Sequence, residues 1–171
     1  LGHCCYRLGQ NAESIQHFEQ ALLLAGQGEV NQTAVAASLN CLGVLHFHRH
    51  ADDADKAMEM LKLSLAIYRR QTLGKTREAA TVLNNIGRIY YLWSKYEEAL
   101  QIYGEALQTR KLLLGEKSID VAATLYNTGQ TYHQLGQLDE AMEYYEGYLD
   151  IAATRLGTES RDVAIVFRCM G

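Results

Sequence analysis

Apolar residues recur along this chain at helical spacing, three and four positions apart. Residues 12–25 place Ile15 and Phe18 on one side of a helix, and the same spacing predicts helices over residues 34–48 and 54–71. Proline, the residue that interrupts helices most strongly, is absent from the whole chain. The pattern therefore predicts an all-α protein.

A longer pattern is superimposed on these helices. Residues 78–87 closely match residues 120–129, and the glycines that end the two segments, Gly87 and Gly129, lie 42 residues apart. A fixed period of this length is typical of repeat proteins, in which each unit buries its apolar face against its neighbours. Because the pattern begins and ends inside repeats, we expect a fragment of a longer protein. We predict one array over residues 1–171, with repeats at about 1–32, 33–75, 76–117 and 118–159 and a partial repeat at 160–171.

The boundaries between the predicted repeats share a Leu-Gly pair followed by a hydroxyl residue. The hydroxyl residues are Thr76, Ser118 and Ser160, which follow one another at 42-residue intervals. Glycine adopts the left-handed conformation that ends many helices, and a Ser or Thr side chain accepts a hydrogen bond from the free amides of the next helix. We therefore predict that a helix ends and another begins at each boundary.

Composition excludes several classes of function. The net charge is −4 and 21% of residues are charged, so the basic excess expected of a nucleic-acid binder is missing. No apolar run approaches the roughly 20 residues that a membrane span needs. The cysteines, Cys4, Cys5, Cys41 and Cys169, lack the spacing of a metal site or a disulfide framework. We expect packed thiols in a reducing compartment and a cytoplasmic protein.

Two further arrangements bear on chemistry. His46, His48 and His50 lie close together in sequence, and His46 and His50 are one helical turn apart. One such pair supplies too few ligands, and His46 occupies a packing position, so no metal site is expected. No Ser or Cys stands at a recognisable spacing from a His and an acid. We therefore predict no catalytic residues, no cofactor and no enzymatic activity.

Two short motifs identify a family resemblance. One joins an apolar or small residue to a glycine and an aromatic residue, and the other joins a small residue to an aromatic one four positions later. The motifs are Ile86-Gly87-x2-Tyr90, Thr128-Gly129-x2-Tyr132, Ala99-x3-Tyr103 and Ala141-x3-Tyr145. They resemble the tetratricopeptide repeat. The resemblance implies a right-handed α-solenoid of about four antiparallel helix pairs, in which glycine and alanine permit close helix contacts.

The repeat length sharpens the resemblance. The period of 42 residues exceeds the usual 34 of this family and is similar to that of kinesin light chain repeats. In that subfamily the inner groove binds extended peptides, helped by asparagines on the first helix of each pair. Asn84, Asn85 and Asn127 match those asparagines, whereas Cys41 replaces the one that would follow Asn40. The resemblance therefore implies a protein-binding scaffold.

Helical spacing from each repeat glycine predicts which residues line that groove. The predicted residues are Asn40, Phe47, Asn84, Arg88, Tyr91, Tyr126, Gln130 and His133, and the resemblance adds Asn85 and Asn127. The set contains no acid, whereas the second helices carry Glu97, Glu98, Glu105, Asp139, Glu140, Glu143 and Glu146. We predict a protein or peptide partner with acidic residues, and neither nucleic acid nor membrane as a partner. The alternatives are ordinary solvated helix faces, or a regulatory or oligomerisation segment that associates with itself.

Overall fold

A computed structural model describes residues 31–49, 54–73 and 75–156. The helix predicted at 12–25, the partial repeat at 160–171 and Ser160 lie outside these ranges. Six helices and no strand are found within them, and they confirm the all-α prediction. They are α1 (Gln32–Arg49), α2 (Ala54–Thr72), α3 (Arg77–Leu92), α4 (Tyr96–Leu114), α5 (Ile119–Gln134) and α6 (Leu138–Leu156).

The helix ends agree closely with the apolar pattern. The helices predicted at 34–48 and 54–71 correspond to α1 and α2, whose ends differ from the prediction by two residues or fewer. None of the six helices combines the length and the hydropathy that crossing a bilayer requires. The chain divides into two compact units, Leu1–Ile89 and Tyr90–Gly171.

In the first unit, α1 packs closely on α2. A Cβ atom added to Gly43 of α1 would lie 2.9 Å from Cγ of Leu61 and 3.1 Å from the carbonyl oxygen of Ala57. The hydroxyl of Ser64, which is fully buried, donates a hydrogen bond of 2.6 Å to the carbonyl of Ala36. Small residues on both helices therefore set the distance between them, as the family resemblance implied.

In the second unit, α5 and α6 repeat this arrangement. A Cβ atom on Gly129 would lie 2.9 Å from two ring carbons of Tyr145 and 3.3 Å from the carbonyl oxygen of Ala141. Around this contact lies a core shared by both helices, which includes Val121 and Leu125. Tyr148, which stands where Ala106 and Ser64 lie one and two periods earlier, is buried in the same core and is only 7% exposed.

The predicted hydroxyl caps are present at both described boundaries. Thr76 Oγ1 accepts a hydrogen bond of 3.1 Å from the backbone amide of Ala79. Ser118 Oγ accepts one of 3.2 Å from the amide of Val121. Each cap supplies an acceptor for a first-turn amide that has no partner inside its own helix. The sequence therefore located both helix starts.

Residues with a positive φ stand at the helix ends of these boundaries. Gly115 has a φ of 80° and a ψ of 158° directly after α4. At the preceding boundary Leu73, which lies one 42-residue period before Gly115, has a positive φ of 56°. Gly74 lies outside the described residues. The backbone follows the period, so a leucine occupies a position where glycine is favoured.

The turns within the helix pairs show the same effect. After α5, the amide of Gly136 donates to the carbonyl of His133 and Gly136 has a φ of 74°. One period earlier, after α3, the amide of Ser94 donates to the carbonyl of Tyr91 and Ser94 has a φ of 56°. Serine pays a steric cost in this left-handed region that glycine does not. The two equivalent turns therefore hold residues that differ in how well they tolerate a positive φ.

We predict that Gly129→Ala lowers the free energy of unfolding by about 1–3 kcal/mol, because the new methyl group would overlap the ring of Tyr145. The matched control is Gly104→Ala in α4, where an added Cβ would have no atom within 4 Å apart from its chain neighbours and the backbone of its own helix. The control should raise the free energy of unfolding by about 0.5–1 kcal/mol, since alanine favours a helix interior. Urea denaturation followed by circular dichroism measures both. Equal effects of the two substitutions would contradict the close contact.

We further predict that Ser94→Gly raises the free energy of unfolding by about 0.5–1 kcal/mol, because it removes the steric cost of a positive φ. Gly136→Ser, the reverse change one period later, should lower it by about 1 kcal/mol for the same reason. Thermal denaturation of the two variants beside the parent chain tests the pair. Destabilisation by Ser94→Gly would show that the serine side chain stabilises its turn.

Candidate functional site

The candidate residues of the first unit form two contacts between α1 and α3. In one, Nδ2 of Asn85 donates a hydrogen bond of 3.0 Å to Oδ1 of Asn40. Both side chains are half-buried. A primary amide has two donors and an acceptor oxygen with two lone pairs, so such a pair still has hydrogen-bonding capacity of both kinds. The two asparagines together therefore suit a ligand that both donates and accepts, as a peptide backbone does.

The second contact joins a cation to an aromatic ring. The guanidinium carbon of Arg88 in α3 lies 5.2 Å from the ring centroid of Phe47 in α1. This distance is within the range of an attractive cation–π interaction. A guanidinium held against a ring presents its N–H groups along its edge, where they can bind both oxygens of a carboxylate. The two residues form a positively charged platform on unit one.

Asn84 is placed differently from its neighbour. Asn84 is only 9% exposed, whereas Asn85 is half-buried and hydrogen-bonded to Asn40. The helical spacing had predicted Asn84 as a lining residue, and the resemblance had added Asn85. The role of Asn84 toward a ligand stays a prediction, and Asn85 offers the more accessible amide of the two.

In the second unit, two of the predicted residues contact each other on α5. Nε2 of Gln130 donates a hydrogen bond of 3.0 Å to the hydroxyl of Tyr126, one helical turn earlier. The ring of Tyr126 packs against α6, with centroid distances of 6.0 Å to Tyr145 and 5.4 Å to Tyr148. Tyr126 is thereby fixed at its ring, and its hydroxyl orients the amide of Gln130.

The remaining predicted residues of this unit are Tyr91, Asn127 and His133. His133 is exposed near the end of α5, and Asn127 is half-buried. The ring of Tyr91 contacts Tyr96 at a centroid distance of 5.7 Å. Sequence analysis did not single out Tyr96, which lies across the turn between α3 and α4. The one feature of the sequence that could have indicated this contact is that Tyr96 follows Tyr91 by five positions.

Seven acidic residues of α4 and α6 are exposed. They are Glu97, Glu98 and Glu105 on α4 and Asp139, Glu140, Glu143 and Glu146 on α6. The candidate residues of both units include no carboxylate. Negative charge is therefore concentrated on the second helices, and the first helices offer amide, aromatic and guanidinium groups to a ligand.

Of the three neighbouring histidines, His46 is the one whose side chain the structure describes. Both ring nitrogens of His46 are buried in the position that Tyr90 and Tyr132 occupy in the later repeats. Within residues 31–49, 54–73 and 75–156, no three side chains of His, Cys, Asp or Glu are close enough together to hold a metal ion. His50 lies outside the described residues.

Cys41 lies beside Asn40 on α1 and is half-buried. Burial raises the pKa of its thiol to about 11. Burial is also the main reason that the pKa of Tyr68 is raised, with smaller contributions from Glu78 and Cys41. A thiol with so high a pKa is protonated at neutral pH and is a poor nucleophile or metal ligand. Cys41 therefore acts as a packing residue, as the sequence predicted.

Comparison with known proteins supports the resemblance inferred from the motifs. A tetratricopeptide repeat family model matches residues 1–70, 35–111 and 78–154. No curated protein sequence matches the chain. Solved structures with the same fold include BtubC (BKLC) from P. vanneervenii, which is 26% identical, with a TM-score of 0.84 over 99% of this chain and 67% of that one.

Two further structures extend this comparison. A putative kinesin light chain from Podosopora anserina with nearly identical TPR-like repeats is 18% identical, with a TM-score of 0.77 over 99% of this chain and 80% of that one. The N-terminal domain of stress-induced protein-1 from C. elegans is 15% identical, with a TM-score of 0.61 over 82% of this chain and 98% of that one. These matches confirm the predicted class, an all-α solenoid of helix pairs with structural neighbours among kinesin light chain repeats.

We predict that Cys41 is alkylated at pH 8 roughly a hundredfold more slowly in the native chain than in urea, because its pKa is raised from near 9 to about 11. The native rate should rise with pH up to about 11. The folded state binds the thiol proton more tightly than the unfolded state does. The contribution of this difference to the free energy of unfolding is therefore fully present below pH 9 and is lost as the pH rises from about 9 to 11. Mass spectrometry of the Cys41 peptide after iodoacetamide treatment measures the rates. Equal native and denatured rates would contradict the burial of the thiol.

Proposed function

Because the chain belongs to the tetratricopeptide repeat family, we propose that it is a non-enzymatic module that binds an extended peptide segment of a protein partner. Repeats of this family are generally protein-interaction modules. The first helix of each pair supplies the binding residues in this proposal. Peptide binding by such repeats uses a preformed helical surface, so it needs no catalytic group and no cofactor.

The contacts between α1 and α3 carry the proposal. Asn85 bonds to Asn40 at 3.0 Å, and Arg88 lies 5.2 Å from the ring of Phe47. Within each pair the two side chains restrict each other before any ligand arrives, which reduces the entropy that binding would otherwise cost. Side chains ordered in this way favour a specific binding surface over an ordinary solvated helix face.

The spacing of these contacts fits an extended ligand. Asn40 and Phe47 are seven residues apart on α1, which corresponds to about 10 Å along a helix. An extended chain covers that distance with about three residues at roughly 3.3 Å each. We propose that the asparagines bind the backbone of the peptide while Arg88 binds a carboxylate two or three residues away.

The second unit offers a further surface of the same chemical kind. Gln130 is oriented by the hydroxyl of Tyr126, and His133 is exposed on the same helix. With Asn127 and Tyr91, these residues again present amides and aromatic groups without a carboxylate. We propose that each unit contributes such a surface to partner recognition. The proposal also places the chain in the cytoplasm, where a protonated, packed Cys41 stays reduced.

We predict that the double variant Asn85→Ala and Arg88→Ala weakens peptide binding at least about fivefold, equivalent to about 1 kcal/mol, because it removes an amide and a guanidinium from unit one. Twelve-residue peptides selected from a display library on the parent chain serve as ligands. Fluorescence anisotropy then gives the dissociation constant for each variant. Carboxylate-containing peptides should be enriched by the selection.

The control for this experiment is Lys62→Ala with Gln101→Ala, which removes a cation and an amide from exposed positions on α2 and α4. The control should bind as tightly as the parent, and circular dichroism should show all three proteins folded. Equal affinities of parent and test variant would refute the proposed surface. A dimer detected by light scattering that excludes the peptides would instead favour the self-association alternative.

A further inference from the structure

One side of α5 is lined by hydroxyl groups, and it meets α4 at Thr124. Thr124, Thr128 and Thr131 are spaced four and three residues apart, so they share one side of the helix, and each is at most 4% exposed. Thr124 contacts Arg110 of α4 directly. One period earlier, α3 carries the buried aliphatic residues Val82, Ile86 and Ile89 at the corresponding positions.

These hydroxyl groups are hydrogen-bonded within their own helix. Thr124 Oγ1 donates to the carbonyl of Asp120 at 3.1 Å, Thr128 Oγ1 to that of Thr124 at 2.9 Å, and Thr131 Oγ1 to that of Asn127 at 2.8 Å. Each bond runs one turn back along α5, a pattern common for threonine inside helices. Their hydroxyl protons are therefore directed to α5 itself, and each threonine offers less apolar surface than the valine or isoleucine at the same place in α3.

The contact from α4 is partly apolar, since Leu107 packs against the core of α5 and α6, and partly polar, through Arg110. The residue is only 4% exposed, and its Nη1 donates to the carbonyl of Asp120 at 2.7 Å and to Thr124 Oγ1 at 2.6 Å. One period earlier, the same position holds Tyr68, which is 2% exposed. Burying a guanidinium carries a desolvation cost that the hydrogen bonds largely serve to offset. The hydrogen bonds of Arg110 are therefore specific but contribute little net stability.

The α5–α6 pair, by contrast, is strongly cohesive. The ring of Tyr145 lies against Gly129, and Val121, Leu125 and Ile151 belong to one buried core with it. In repeat proteins, stability is approximately the sum of terms within repeats and terms between neighbouring repeats. Leu107 is the residue of α4 that packs against this core, whereas both α5 and α6 contribute several buried residues to it. The α5–α6 pair is therefore expected to separate from α4 before it unfolds internally.

We propose that the contact between α4 and α5, in which Arg110 bonds to Thr124 and to the carbonyl of Asp120, is where this part of the chain opens first. The α5–α6 pair separates there from α4 as one cooperative unit, while α4 keeps its own structure. The opening breaks the hydrogen bonds of Arg110 to α5 and exposes the threonine-lined side of that helix. In α3, the corresponding positions hold the aliphatic residues Val82, Ile86 and Ile89. We therefore expect an opening of this kind to be less favourable at α3 than at α5.

Native-state hydrogen exchange at increasing urea concentration tests the proposal. Amides of α5 and α6 are expected to exchange through one shared opening, with an equilibrium constant at least about tenfold larger than that of the opening that exposes α4. Exchange of α4, α5 and α6 through a single common opening would overturn the proposal. So would fraying of α6 alone while α5 stays as protected as α4.

A pair of variants separates the polar contact from other causes. Thr128→Val with Thr131→Val keeps side-chain shape and replaces the hydroxyls by methyl groups, so exchange in α5 and α6 should slow by roughly tenfold. Thr81→Val is the matched control, because the half-exposed Thr81 of α3 donates to the carbonyl of Arg77 in the same way. The control should leave exchange in α5 and α6 unchanged. Unchanged exchange in the double variant, or an equal effect of the control, would overturn the proposal.

Discussion

The closeness of two helix backbones is the constraint on which the described helix pairs depend. Gly43 and Gly129 stand where a Cβ atom would lie 2.9 Å from a side chain of the second helix. Only glycine permits such an approach, and it allows Leu61 and Tyr145 to fill the space directly over the backbone. The burial of the small residues Ser64 and Ala106 on the second helices is consistent with the same demand for compactness.

Given this constraint, the remaining side chains of each helix are distributed over faces with different tasks. One side of α1 packs on α2 and contacts between α1 and α3 lie elsewhere on it, while α5 packs on α6 and also contacts α4. The remaining surface of these first helices carries the amide, aromatic and guanidinium groups of the candidate surfaces. The acids are exposed on α4 and α6. The residues that stabilise a helix pair are therefore different from those proposed to bind a partner. The partner-facing residues can vary while the glycine contacts remain intact.

Equivalent positions of successive repeats nevertheless differ in chemistry. Tyr68 and Arg110 lie one period apart and are both buried, yet one is a phenol and the other a cation. Ser94 and Gly136 have similar backbone conformations with different side chains. Repeats of one fold therefore do not have equal local stability. Differences of this kind allow an otherwise regular array to respond at one contact rather than uniformly.

The sequence by itself determined the helices, their caps, the 42-residue period and the family, because all of these depend on residues close together in the chain. It also identified the glycines and the aromatic residues that meet across a helix pair. Only the tertiary structure decided that Asn85 bonds to Asn40 and that Arg88 stacks on Phe47. It likewise revealed the burial of Asn84 and Arg110 and the positive φ of Leu73. Contacts between helices depend on the rotation of each helix about its axis, and one residue along a helix changes that direction by about 100°.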